Sequence, residues 1–165
     1  MTHRQEMDAS AYINALGQGD TSEMAPHSLT AVCVRRGRGF QRPEEPLVVN
    51  GQFNVTEFGT VKDPEQFEAL FAYSPFHHVR DGVKYPAVLL TTGENDGRIN
   101  PAQSRKMAAR LQAATASDLP ILFRSTATAG HGIGSSLKDR IAEQADVLAF
   151  LFHQLGVDAS WWAIQ

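Results

Sequence analysis

Cys33 is the only cysteine in 165 residues, so the chain can form neither an intrachain disulfide nor a cysteine-based zinc site. A lone thiol fits a reducing compartment, and a cytoplasmic location is the expectation. Charge of neither sign dominates: 15 Lys and Arg stand against 18 Asp and Glu, for a formal net charge of -3. That balance argues against a strongly basic nucleic-acid-binding domain and against a polybasic membrane-surface segment. Long hydrophobic runs are missing too. Stretches such as Ala87 to Leu90 and Val147 to Phe152 fall far below the ~20 residues that a membrane-spanning helix needs. The opening MTHRQEMDAS has no apolar signal core, so no secretory route is expected. There is no internal repeat and no low-complexity tract. What remains is ordinary globular usage, 42% hydrophobic and 20% charged, enough for one compact domain with its own core.

Residues 1–48 read differently from residues 49–165. The first twenty could form one short helix, with Met7, Tyr12, Ile13 and Leu16 loosely spaced for one face. Ser28 to Val34 has the β-branched content of a strand. The following VRRGRGFQRPEEP packs Arg35, Arg36, Arg38 and Arg42 among glycine and proline, and reads as a solvated loop rather than an anion site. From residue 49 the pattern sharpens. Pro64 to Tyr73 is a helix, with proline at its start and Phe67, Leu70 and Phe71 at helical spacing. Pro86 to Thr92 is a short apolar run bounded by Pro and Gly, as in a strand buried on both faces of a parallel sheet. Asn100 caps a second helix, with Pro101 at its first position and Ala102, Met107, Leu111 and Ala114 forming its stripe to about Ala116. Pro120 to Thr126 is the next strand. Ser136 caps a last helix, whose inner face is expected to be Ile141, Ala145, Leu148, Leu151, Phe152 and Leu155, and Gly156 ends it.

Strands alternating with helices at these lengths give an α/β fold with a parallel sheet, whose ligands bind beyond the carboxyl ends of the strands. Two strands alone cannot make such a sheet, so Ser28 to Val34 or a strand from elsewhere must extend it. The loops GENDGR and AGHG lie at those ends and carry Asp96 and His131. A carboxylate after one strand and a histidine after the next can meet, the carboxylate fixing the imidazole tautomer while the ring takes a proton from a hydroxyl. The same residues fit a plainer picture, in which Asp96 caps a glycine-rich turn and His131 is a loop histidine. His77 and His78, adjacent in what reads as an extended segment, would point to opposite faces and have no third ligand nearby, so they read as surface residues and no metal site is expected. Trp161 and Trp162 read as a packed terminal tail, and Cys33 as a small buried hydrophobe.

From about Gly51 to Gly156 the sequence resembles the C-terminal part of the catalytic domain of the prolyl oligopeptidase family, serine peptidases built on the α/β-hydrolase fold. NVTEFGTVKDPEQFEAL, YSPFHHV, YPAVLLTTGENDGRINPAQSRKMAARLQ and AGHGIG carry the resemblance. It implies that Asp96, of the D-x-R segment, and His131 are triad members, following a serine in the chain order Ser, Asp, His. It implies also that Arg98 binds a substrate carbonyl near the scissile bond, against the alternative of a surface pair with Glu94. The substrates would be short proline-containing peptides, cut after proline through an acyl-enzyme, with no cofactor. The pattern departs from the family at one point: no G-x-S-x-G occurs in the 165 residues. A fragment lacking the nucleophile elbow, inactive alone, is therefore the expectation. Either a separate chain supplies the rest of the hydrolase domain, or the chain is a non-catalytic remnant that binds a partner.

Overall fold

The computed structural model describes residues 31–35, 55–131 and 135–157. The helix expected in the first twenty residues, the arginine-rich loop beyond Arg35 and the tryptophan tail lie outside them, whereas Arg35, expected in the loop, is the last residue of the first strand. Three parallel strands form one sheet in the order β1 (Ala31–Arg35), β2 (Ala87–Gly93) and β3 (Ile121–Thr126). The third strand that the sheet requires is thus the β-branched segment before the arginines, in register Cys33 to Leu89. The helices are α1 (Val55–Phe58), α2 (Pro64–Ala72), α3 (Pro75–His78), α4 (Pro101–Ala114) and α5 (Leu137–Leu155).

β2 is buried along its whole length because a helix covers each of its faces. Val88 and Leu90 meet Met107, Ala108, Leu111 and Ala114 of α4, with Val79, Tyr85 and Ile121 completing that cluster. On the other face Ala87 and Leu89 meet Val147 and Phe150 of α5, with Leu151 packed beside them. Each large aliphatic side chain enclosed in this way contributes about 1.5–3 kcal/mol.

The helix boundaries follow local chemistry. The Asn100 side chain accepts from the Ala102 amide at 2.9 Å, and Pro101 follows, where a missing N–H costs nothing. Asp63 caps α2 in the same way, accepting from the Glu65 and Gln66 amides. Gly156, in the left-handed region at φ 65°, closes α5, and the Val157 amide reaches back to the Phe152 carbonyl at 2.9 Å.

Two expectations need correction. The inner face of α5 is Val147, Phe150 and Leu151, whereas Ile141 and Leu155 are 60% and 59% exposed and Leu148 is exposed as well. Of the expected face Leu151 does pack inward, while the stripe of Ile141, Leu148 and Leu155 turns away from the sheet; the helix carries two apolar stripes, and periodicity alone does not choose between them. His77 and His78 are not in an extended segment but in α3, and both are half-buried. The Ser74 hydroxyl lies 2.8 Å from Nδ1 of His77, and Nε2 of His78 donates to the Ala72 carbonyl, satisfying the end of α2.

Candidate active site

The loop after β2 turns on Asp96. One carboxylate oxygen, Oδ1, accepts from the backbone amides of Arg98 at 3.0 Å and Ile99 at 2.8 Å, a side-chain-closed turn in which Asp96 is acceptor only. The loop after β3 reaches the same place because the two loops are stitched together. The Glu94 amide donates to the Thr126 carbonyl, the Asn95 amide to the Ala129 carbonyl at 3.0 Å, and the Asn95 side chain to the Ala127 carbonyl at 2.8 Å. Gly93 permits this approach, since a Cβ there would sit 2.4 Å from the Ala129 carbonyl oxygen.

The result is a direct contact. Nδ1 of His131 lies 3.0 Å from Oδ1 and 2.9 Å from Oδ2 of Asp96, within the 2.6–3.2 Å expected of a working pair. The carboxylate is fully enclosed, while the imidazole is about one-third exposed. An acceptor-only carboxylate on Nδ1 places the proton there and leaves the lone pair on Nε2. Nε2 has no partner among the described residues.

Asp96→Asn separates the two jobs of this side chain. The amide oxygen can keep the bonds to the Arg98 and Ile99 amides, so the turn should hold. The amide N–H₂ would then oppose the proton on Nδ1, and the imidazole should switch to the tautomer protonated at Nε2. Imidazole ¹⁵N shifts read the switch directly, and an unchanged tautomer in a folded variant would contradict it.

Arg98 is exposed, and its guanidinium makes no hydrogen bond or ion pair among the described residues. The alternative partner, Glu94, is taken by Arg105. The Ser125 hydroxyl and the Arg105 guanidinium hold the Glu94 carboxyl below the usual carboxylate range.

A supporting carboxylate was missed in the sequence. Oδ2 of Asp139, in the first turn of α5, accepts from the Thr128 hydroxyl at 2.6 Å and the Ser136 hydroxyl at 2.8 Å. It thereby joins the chain three residues before His131 to the cap of α5. The spacing S-x-x-D from Ser136 to Asp139 was the available signal, a variant of the reciprocal helix cap. The Thr128 hydroxyl and, after it, that of Ser136 hold Asp139 below its ordinary pKa. A depressed carboxyl stabilises the fold above its unfolded pKa and loses that contribution as pH falls through its folded one. Thr128→Val should therefore lower the melting temperature at neutral pH, with the difference from the parent chain shrinking in acid. A difference that grew in acid would contradict the assignment. Among the described residues no group of three or more His, Cys, Asp or Glu could hold a metal ion, and no helix is long and apolar enough to cross a membrane.

A carboxylate and a histidine in the loops after neighbouring parallel strands, with helices on both faces of the sheet, define the C-terminal end of an α/β-hydrolase domain. Residues 47–158 match the family model described as the prolyl oligopeptidase family, and the chain belongs to that family of peptidases. It is 41% identical over 102 residues to the prolyl endopeptidase of Elizabethkingia meningoseptica, a match covering 61% of this chain and 14% of that protein. The prolyl endopeptidase of Dictyostelium discoideum is 36% identical over 106 residues, covering 62% of this chain and 14% of its own length. Among solved structures, one from a study of two prolyl endopeptidases and their inter-domain dynamics matches with a TM-score of 0.77 at 32% identity, over 90% of this chain and 21% of that chain. Prolyl oligopeptidase B of Galerina marginata, bound to a 25mer macrocyclization substrate, gives 0.75 at 26% identity, over 90% and 20%. The chain thus spans only a small part of the length of these relatives.

Proposed function

We propose that His131 is the general base and acid, and Asp96 its orienting partner, of a serine-type peptidase site that cuts short peptides on the carboxyl side of proline, the serine coming from outside these 165 residues. The observation that carries this reading is the double contact of the Asp96 carboxylate with Nδ1 of His131, at 3.0 and 2.9 Å, with Nε2 left open. In that state Nε2 takes the proton of an attacking serine hydroxyl as its oxygen bonds to the peptide carbonyl carbon. The imidazolium is held by Asp96 and returns the proton to the departing amine as the C–N bond breaks. Water then hydrolyses the acyl-enzyme by the same transfers. Arg98, two residues after Asp96 and without a competing ion pair among the described residues, is suited to hold a substrate carbonyl with its fork of donors. Proline specificity rests on the relatives, which are prolyl endopeptidases.

One feature favours a second reading, a non-catalytic domain that binds a partner: the sequence has no G-x-S-x-G. Adding a separately expressed piece of a relative's hydrolase domain that carries such a serine, followed by a fluorophosphonate, decides between them. The first reading expects the added serine to be labelled only in the mixture, and labelling to vanish with His131→Ala. Association of the two pieces without labelling would leave the binding role.

A further inference from the structure

The chain that delivers His131 is tied to two different elements. The Ala129 amide donates to the Thr126 carbonyl at 3.2 Å, closing a tight turn at the end of β3, and His131 follows two residues later. Toward the loop after β2, the Thr126, Ala127 and Ala129 carbonyls accept from Glu94 and Asn95. Thr128 instead sends its hydroxyl to α5, where Oδ2 of Asp139 accepts it at 2.6 Å. The same oxygen accepts from the Ser136 hydroxyl, whose own oxygen accepts from the Asp139 amide at 3.1 Å. A helix cap needs only the last of these bonds. The bond to Thr128 adds nothing to the cap, because it spans eleven residues and joins points on either side of His131. Its length is that of a charge-assisted O–H···O⁻ contact.

We propose that Asp139 is a positioning residue of the peptidase site: by holding Thr128 it fixes the direction in which the turn after β3 presents His131 to Asp96. The inference rests on the reading of His131 as general base. Every bond from the turn to Glu94 and Asn95 runs to one neighbouring loop, and Asp96 belongs to that loop as well. Anchors on a single neighbour act as a hinge, about which the turn can rock and carry the residue beyond it furthest. The Thr128 hydroxyl on α5 is an anchor off that hinge, and it removes the rocking. The contact it protects has little tolerance. Nδ1 of His131 lies 3.0 and 2.9 Å from the two Asp96 oxygens, and a displacement of about 1 Å takes both beyond hydrogen-bond range. A misplacement of that size in a catalytic group costs up to about a hundredfold in rate. Asp139 therefore acts through Thr128, without itself entering the chemistry.

Solvent exchange of the proton on Nδ1 of His131 tests this in the full chain by itself, with neither serine nor substrate present. Thr128→Val removes the bond across the loop and leaves the cap of α5 in place, whereas Asp139→Ala removes the acceptor altogether. Each should speed exchange of that proton several-fold relative to the amides of Leu89 and Leu90, which lie in the buried strand β2 and report global opening. Thr128→Ser keeps the hydroxyl and should keep the parent rate. In the mixture with a serine-bearing piece of a relative, Thr128→Val should slow fluorophosphonate labelling by up to about a hundredfold, and Thr128→Ser should not. A parent mixture that is never labelled counts against the peptidase reading, while the exchange rates still decide whether Asp139 holds the loop. Labelling of the parent that Thr128→Val leaves unchanged overturns the positioning role alone. So does an Nδ1 proton that exchanges at the parent rate in both variants, or that loses protection only in step with Leu89 and Leu90, which would make Asp139 a helix cap and nothing more.

Discussion

Purified alone, the chain should hydrolyse a fluorogenic proline-containing peptide no faster than buffer. Acyl transfer needs a positioned hydroxyl, and the residues brought together here supply only the means to activate one: a base at Nε2 of His131 and a carboxylate that stabilises the cation. Removing the nucleophile from an intact triad costs a factor on the order of a million in turnover, the value known for subtilisin. What survives such a loss is transition-state binding by the oxyanion donors, and one of these is the backbone N–H after the nucleophile on its elbow. A chain without the G-x-S-x-G turn forgoes that donor as well, so its residual rate should fall below that of a serine-to-alanine variant of a complete relative. Intact mass and peptide assays with the parent chain and with His131→Ala measure this. Turnover within about a thousandfold of a complete enzyme, abolished by His131→Ala, would mean that a serine outside the expected motif has taken the role. The most exposed assumption would then be that the elbow is required.

How far the sequence leads depends on whether the physics is local. Asn100 with Pro101, Asp63 with Pro64, and Ser136 with Asp139 are contacts between residues at most a few positions apart, so the helix starts could be read from spacing. The apolar run of β2 was legible for the same reason, since a strand covered on both faces cannot alternate. The inner face of α5 was not, because its two stripes are equally apolar and only the position of β1 and β2 selects Val147 and Phe150. The histidines of α3 were misread because a single helical turn between Pro75 and Val79 is too short to show a period. As for the site, residue type and order suggested that Asp96 and His131 could meet, yet the same loops allowed an ordinary turn. Asp96 does close that turn, and the stitching of Asn95 to Ala127 and Ala129, across more than thirty residues, is what brings His131 onto the same carboxylate; no spacing rule announces such a pairing.

Gly93→Ala should be the most damaging single-methyl change in the site, and Gly97→Ala, four residues on, nearly harmless. A Cβ at Gly93 would lie 2.4 Å from the Ala129 carbonyl oxygen, 2.6 Å from that of Gly130 and 2.8 Å from the Ala129 carbonyl carbon. All three belong to backbone, so no rotamer change can relieve the overlap. The strand cannot yield either, since β2 is buried between two helices and paired on both edges. The loop after β3 must move, by about 1 Å if the nearest contact is to return to van der Waals distance. A shift of that size away from β2 stretches the 3.0 Å bond from the Asn95 amide to Ala129 and draws His131 off the Asp96 carboxylate, now at 2.9 Å. Neither bond survives at nearly 4 Å. Overpacking of this kind costs about 1–3 kcal/mol, and the loss of the stitching adds to it. At Gly97 an added Cβ meets nothing within 4 Å, and the substitution should stabilise slightly, by about 0.4–1 kcal/mol, through the unfolded chain. Urea denaturation gives both differences, and the low-field proton on Nδ1 of His131 reports the contact itself. If the two alanine variants lost equal stability and both kept that proton, close approach of the histidine loop would not be the reason for glycine at position 93.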